Sequence, residues 1–124
     1  MKESLQNFHK YNASDEELFT YIRTNAGEWN EQSFIRMKKI VREVMKDYKD
    51  EDYYPKVFVR YFMLNIPSVI NILSGFKRCS DEEKQKGYTD ETYLSMIAER
   101  MKELKNLQLE FMHSLWTESV RPCE

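Results

Sequence analysis

A chain of 124 residues with 41% apolar and 32% charged residues has the length and composition of one soluble domain with a single core. Its 3 glycines and 3 prolines are too few for an all-β fold of many tight turns and suit long helices with few connections. A formal net charge of -2 provides no overall attraction to nucleic acid or to an anionic membrane, so neither is the expected partner.

Residues 1–13 read as a loosely held N-terminal segment, with Leu5, Phe8 and Tyr11 at helical spacing. Residues 1–6 hold no apolar signal region, and Cys79 and Cys123 are expected as free thiols, so the expected compartment is the cytoplasm. Ser14-Asp15-Glu16-Glu17 reads as a capping box, in which the Ser14 hydroxyl takes the Glu17 N–H and the Glu17 carboxylate reaches back. A short helix over 15–25 follows, with Leu18, Tyr21 and Ile22 inward, closing at Asn25-Ala26-Gly27 because glycine accepts a left-handed conformation.

The first long amphipathic helix is predicted over 30–48. Phe34, Met37, Val41, Val44 and Tyr48 repeat at three and four, and Ile40 and Met45 widen that stripe. Arg36, Lys38, Lys39, Arg42, Lys46 and Lys49 make a basic run. It reads as a solvated face with Glu43 and Asp47 placed to pair, in preference to a phosphate-contacting face, and no helix-turn-helix pattern accompanies it. Asp47 to Asp52 is a charged connector.

Pro55 suits the first turn of a third helix over 57–66, and Pro67 predicts a kink or a short break before 68–73 resumes and Ser74-Gly75 closes the segment. Being apolar nearly all round, this segment is placed at the centre of the bundle. Arg60 and Asn65 argue against a membrane span, since a charge at the bilayer centre costs roughly 3 kcal/mol, and both need partners if buried.

Ser80-Asp81-Glu82-Glu83 is a second capping box, opening a short turn that Gly87 ends. Thr89 then caps a second long amphipathic helix over 90–120, with Leu94, Ile97, Met101, Leu104, Phe111 and Leu115 as its stripe and Pro122 as its stop. Ser-Asp-Glu-Glu thus occurs twice. Without longer self-similarity, reuse of a common cap accounts for it better than a duplication. The expected fold is all-α: a single domain over 1–124, built as a bundle of four to five helices, two of them long and amphipathic.

Chemistry is harder to find. Glu110 and His113 form Glu-x-x-His on one helix face, a pair used in carboxylate-bridged di-metal bundles. Those sites need a second such pair and two further carboxylates, and Gln6 stands three before His9, the other histidine. No metal, cofactor or catalytic residue is therefore expected.

The 8 Tyr, 7 Phe and 2 Trp are many for this length, and Tyr48, Tyr53, Tyr54 and Tyr61 cluster around the acidic connector. Large rigid aromatics with a polar tip suit recognition surfaces. The expected function is a small non-catalytic protein-binding module, a regulator, adaptor or inhibitor. Trp29, Tyr53, Tyr54 and Trp116 would be its anchors, and Asp50, Glu51 and Asp52, with Asp47, would steer a basic partner. Two alternatives stand beside it. One is a homo-oligomeric structural protein that uses the long helix as a seam. The other is a helical metal- or ligand-binding enzyme in which Glu110 and His113 face an interior cavity.

Overall fold

The computed structural model describes residues 2–25 and 27–119, with side chains described as far as Leu115. Among these residues there are six helices and no strand: α1 (Glu3–Asn12), α2 (Leu18–Thr24), α3 (Glu31–Asp47), α4 (Lys56–Ser74), α5 (Asp81–Gln85) and α6 (Asp90–Ser119). The all-α class and the two long helices agree with the pattern of the sequence. The stop predicted at Pro122, the free thiol expected at Cys123 and the Ala26 position in the α2 terminus lie outside the described residues.

The N-terminal segment corrects its sequence reading. It is not loosely held: α1 packs on α3 and delivers Leu5, Phe8 and Tyr11 into the core, the last two with no exposed surface. Phe8 meets Phe58 and Tyr61 edge-on, at centroid separations of 5.2 and 5.4 Å. Burying one such ring contributes about 2 kcal/mol or more, which outweighs the cost of ordering a short terminal helix.

The first cap also differs from the expected box. Glu17, not Ser14, caps α2: its carboxylate accepts from Phe19 N–H and Thr20 N–H at 3.0 Å each and from Thr20 Oγ1 at 3.0 Å. The Ser14 hydroxyl instead donates to the Tyr11 carbonyl at 2.8 Å. Glu17 is 1% exposed, and Tyr61 donates its hydroxyl to Glu17 Oε2 at 2.8 Å. Because the Tyr61 proton is used on Glu17, the 3.3 Å contact between the Tyr11 and Tyr61 hydroxyls has Tyr11 as donor, while Tyr11 Oη accepts from Leu18 N–H at 2.9 Å. The result is a buried chain, Leu18 N–H to Tyr11 to Tyr61 to Glu17, that joins α1, α2 and α4. Each link polarises the next, and a carboxylate buried without a cation is held by its donors alone. The second box behaves as read in its first half: Ser80 Oγ accepts from Glu83 N–H at 3.3 Å, while the Glu83 carboxylate turns to Lys86 at 3.4 Å. Thr89 and Thr92 cap α6 reciprocally, at 3.1 and 2.8 Å.

α4 runs through Pro67 without a break. A π turn at Tyr61–Asn65 precedes the proline, and Ile66 N–H bonds to the Tyr61 carbonyl across it. Proline lacks the N–H that would serve the carbonyl four residues back and its ring crowds that carbonyl; the wider turn relieves both. Ser68 Oγ bonds the Leu64 carbonyl at 2.6 Å in the same stretch. The inward side of α4 carries Phe58, Tyr61, Phe62, Ile66, Val69 and Leu73, all buried. Its outward side is not covered, so α4 does not occupy the centre of the bundle: Val59 is half-buried, and Met63 and Leu64 are exposed. Arg60 is likewise exposed and needs no buried partner.

α3 keeps its expected stripe, with Phe34, Met37, Ile40, Val41 and Val44 buried. On α6 the stripe is rotated from the expected one: Tyr93, Ile97, Leu104, Leu107 and Phe111 are buried, Leu94 and Met101 are half-buried, and Leu115 is exposed. A polar clamp fixes α3 to α6. Arg100 Nε donates to both Glu31 carboxylate oxygens at 2.8 and 2.9 Å, and Arg100 Nη1 to Glu103 Oε2 at 2.8 Å. Lys38 completes the set on Glu103 at 3.0 Å.

Candidate functional site

The residues expected to contact a partner fall in different settings. Trp29 is buried, stacks obliquely on Phe34 at 5.3 Å and donates its indole N–H to Glu31 Oε1 at 3.0 Å, so it belongs to the Arg100 clamp and not to a surface. Tyr54 is also buried, between Tyr48, Phe58 and Phe111, and its hydroxyl pairs with Ser114 Oγ at 2.8 Å. The structure therefore corrects both from anchors to core. Tyr61, expected near the connector, lies in the buried hydroxyl chain.

Tyr53 is 79% exposed, and Asp50, Glu51 and Asp52 are exposed beside it. Glu51 pairs with Lys2 at 3.2 Å. The side chain of Trp116 lies outside the described residues.

Glu110 and His113 are exposed and do not face an interior cavity, and Glu110 pairs with Arg42 at 3.0 Å. Among the described residues no group of three His, Cys, Asp or Glu side chains is placed to hold a metal ion. In the basic run of α3, Arg36 pairs with Glu16, Lys38 with Glu103 and Arg42 with Glu110, each at 3.0 Å, so three of its cations are engaged within the fold. A hollow of about 640 Å³ between α1 and α3 has lysines, arginine and carboxylates mixed along it and offers no field of one sign. Cys79 is buried, and burial together with the Asp90 and Glu83 carboxylates pushes its thiol above the ordinary range, which disfavours a reactive thiolate.

The feature that stands out is an uncovered apolar face where α4 meets the C-terminal half of α6. Met63 is 68% exposed and Met112 50% exposed, with Leu64 and Leu115 also open to solvent. The face has relief. Val59 and Met63 line two adjoining hollows and so form the ridge between them. The hollow on one side, about 350 Å³, is completed by Tyr54, Lys56, Arg60 and Leu64. The hollow on the other, about 260 Å³, is completed by Phe62, Gln108, Phe111, Met112 and Leu115. Its floor is rigid, since Phe62 and Phe111 stack at 4.2 Å with their planes 7° apart. Leu115 and Tyr54 also border a small niche with Lys49, Glu51, Asp52 and Tyr53, so a connector of mixed charge adjoins both hollows. Lys56 and Arg60 border the larger of the two hollows.

Comparison with family models, with curated proteins and with solved structures finds no match.

The apolar ridge was missed in the sequence because α4 was read as enclosed. A signal was nonetheless present. Segment 57–73 holds more apolar residues than one buried face needs, and Leu109 and Met112 stand off the predicted stripe of the last helix. Excess apolar residues off the inward face are what an exposed contact surface looks like in sequence.

Proposed function

We propose that this chain is a small non-catalytic protein-binding module and that the ridge of Val59 and Met63, with its two flanking hollows, is its working surface. The observation that carries this reading is the exposure of Met63, Leu64, Met112 and Leu115 around two adjoining apolar hollows. An isolated exposed leucine needs no explanation. Adjoining apolar side chains set over a rigid aromatic floor, with charged edges, have the make-up of a contact patch: apolar centre, polar rim. Methionines suit such a centre because an unbranched, polarisable side chain adapts to the shape laid against it. Tyr53 and the carboxylates of 50–52 contribute at the border, as rim and steering charge, with the binding energy coming from the apolar centre.

Photo-crosslinking in native cells tests this. A photoreactive amino acid would replace Met63, Met112 or, as a control, the exposed Gln32 at the start of α3. Protein adducts at 63 and 112 that are absent at 32 are the expected result. Adducts at neither position, in protein that remains folded by circular dichroism, would overturn the reading.

A further inference from the structure

We infer that the hollow between α1 and α3 binds a short zwitterionic peptide, about three residues long, with its ammonium group at the end marked by Glu3 and Asp47 and its carboxylate at the end marked by Lys10 and Lys39. This hollow shares no residue with the apolar ridge, and neither reading depends on the other.

The order of charge along the hollow is the first observation. α1 and α3 run antiparallel: Lys2 meets Tyr48 and Glu51, while at the other end Arg36 lies over the Tyr11 ring. Glu3 of α1 therefore stands at the same end as Glu43 and Asp47 of α3, and Lys10 at the same end as Arg36 and Lys39. Lys46 also lies at the first end and leaves it net negative. Arg36 is engaged by Glu16, but Glu3, Lys10, Lys39, Glu43 and Asp47 are in no ion pair among the described residues. Setting like charge beside like across two packed helices costs free energy, and a counter-charge from outside relieves it at each end. Glu3 and Lys10 stand two helical turns apart, about 10 Å. The two charges of a single amino acid are too close together to reach both ends, whereas an extended chain of three residues, at about 3.3 Å each, spans them.

The second observation is Ser4. It lines the same hollow, is 6% exposed, and its hydroxyl has no hydrogen-bond partner. No other buried side-chain N or O atom among the described residues is left so. An unpaired buried hydroxyl is destabilising, so alanine would serve a merely structural position better. A peptide group seated against Ser4 supplies the missing partner. Half-buried Asn7 offers an amide donor and acceptor to a neighbouring peptide group, and Ile40 provides an apolar floor for a small side chain. The volume, about 640 Å³, is in the range of small-ligand sites.

Titration of the isotope-labelled full chain with trialanine, followed by NMR of the backbone amides, gives the test. Saturable shifts confined to α1 and α3, with millimolar or tighter affinity, are the expected result. N-acetyl-trialanine amide keeps the peptide groups and lacks the charged ends; alanine has both charges but too close together. Each should bind at least tenfold more weakly. Lys10→Glu with Lys39→Glu, both exposed, should abolish the shifts in protein that circular dichroism shows to be folded. Ser4→Ala should weaken binding several-fold while the melting temperature holds or rises, a combination that a purely structural serine does not give.

The peptide comparison uses the unaltered chain and stands whatever a variant does to folding. No saturable shift with trialanine, or equal binding of the capped peptide or of alanine, overturns the inference. So does wild-type affinity in the charge-reversed variant or in Ser4→Ala.

Discussion

Replacing Tyr61 by phenylalanine isolates the buried hydroxyl chain, because it removes one oxygen and leaves the ring contacts of Tyr61 with Phe8 and Phe62 in place. Two bonds are lost: the donation to Glu17 Oε2 at 2.8 Å and the 3.3 Å contact with the Tyr11 hydroxyl. The first is a charge-assisted bond to a carboxylate that is 1% exposed and in no ion pair among the described residues, so water does not replace the missing donor. A hydrogen bond to a charged group contributes about 1.5–3 kcal/mol, and the long bond to Tyr11 adds a few tenths, so the expected loss is about 2–3 kcal/mol. An unfolding entropy of about 2.1 cal/mol/K per residue, taken over the chain, converts each kcal/mol into about 4 °C, so the melting temperature should fall by about 8–12 °C. Urea denaturation followed by circular dichroism measures the first quantity and a thermal scan the second. Glu17→Gln should cost at least as much, because its amide N–H2 would face donors that need an acceptor. The double variant should cost less than the sum of the two, because both break the same bond. A Tyr61→Phe protein within about 0.5 kcal/mol of wild type would refute the claim that this chain of hydroxyls holds α1, α2 and α4 together.

Three further outcomes follow from the same structure. Burial pushes the Tyr11 hydroxyl up to about 12 and raises Tyr61 well above the ordinary 10.0, so the folded state holds protons that the unfolded chain releases first; their stabilisation is complete below about pH 10 and is lost as pH rises toward the folded values, and urea midpoints should fall over about pH 10–11.5, less steeply in Tyr61→Phe. Hydrogen bonds from Arg100 hold the Glu31 carboxyl below its usual range; burial by itself would raise Glu103, but Lys38 and Arg100 outweigh it and keep that carboxyl low as well. Both carboxylates therefore stabilise the fold above about pH 4.5 and stop doing so as pH falls through their folded values; Arg100→Gln should cost about 1–2 kcal/mol near pH 7 and flatten the acid limb of a stability profile, with partial solvent screening keeping the effect below that of a buried pair. Gly27 sits at φ 83° with nothing within 4 Å of an added Cβ, so Gly27→Ala should cost about 1 kcal/mol from backbone strain alone, whereas Gly75→Ala, at φ -91°, should be nearly neutral in the same denaturation assay.

The sequence by itself determined the local elements. The three-and-four spacing of Phe34, Met37, Val41 and Val44 fixed α3 because only a helix puts those side chains on one face, and few glycines and prolines excluded a turn-rich sheet. Ser80 and Thr89 marked their helix starts because a cap is a local hydrogen bond, complete within four residues. Only the tertiary structure decided which apolar residues are covered. Tyr54 reads as a surface anchor until Phe111 and Ser114 of the last helix enclose and pair with it, and Trp29 until the Glu31 that takes its indole N–H is itself held by Arg100 of that helix. Met63 and Leu64, within the segment read as the centre of the bundle, are exposed because the bundle leaves the outer side of α4 open. Glu17 read as half of a capping box until Tyr61, 44 residues away, supplied its fourth donor. Burial is a property of neighbours brought together from across the chain, so composition and periodicity give the apolar faces but not which of them another element covers.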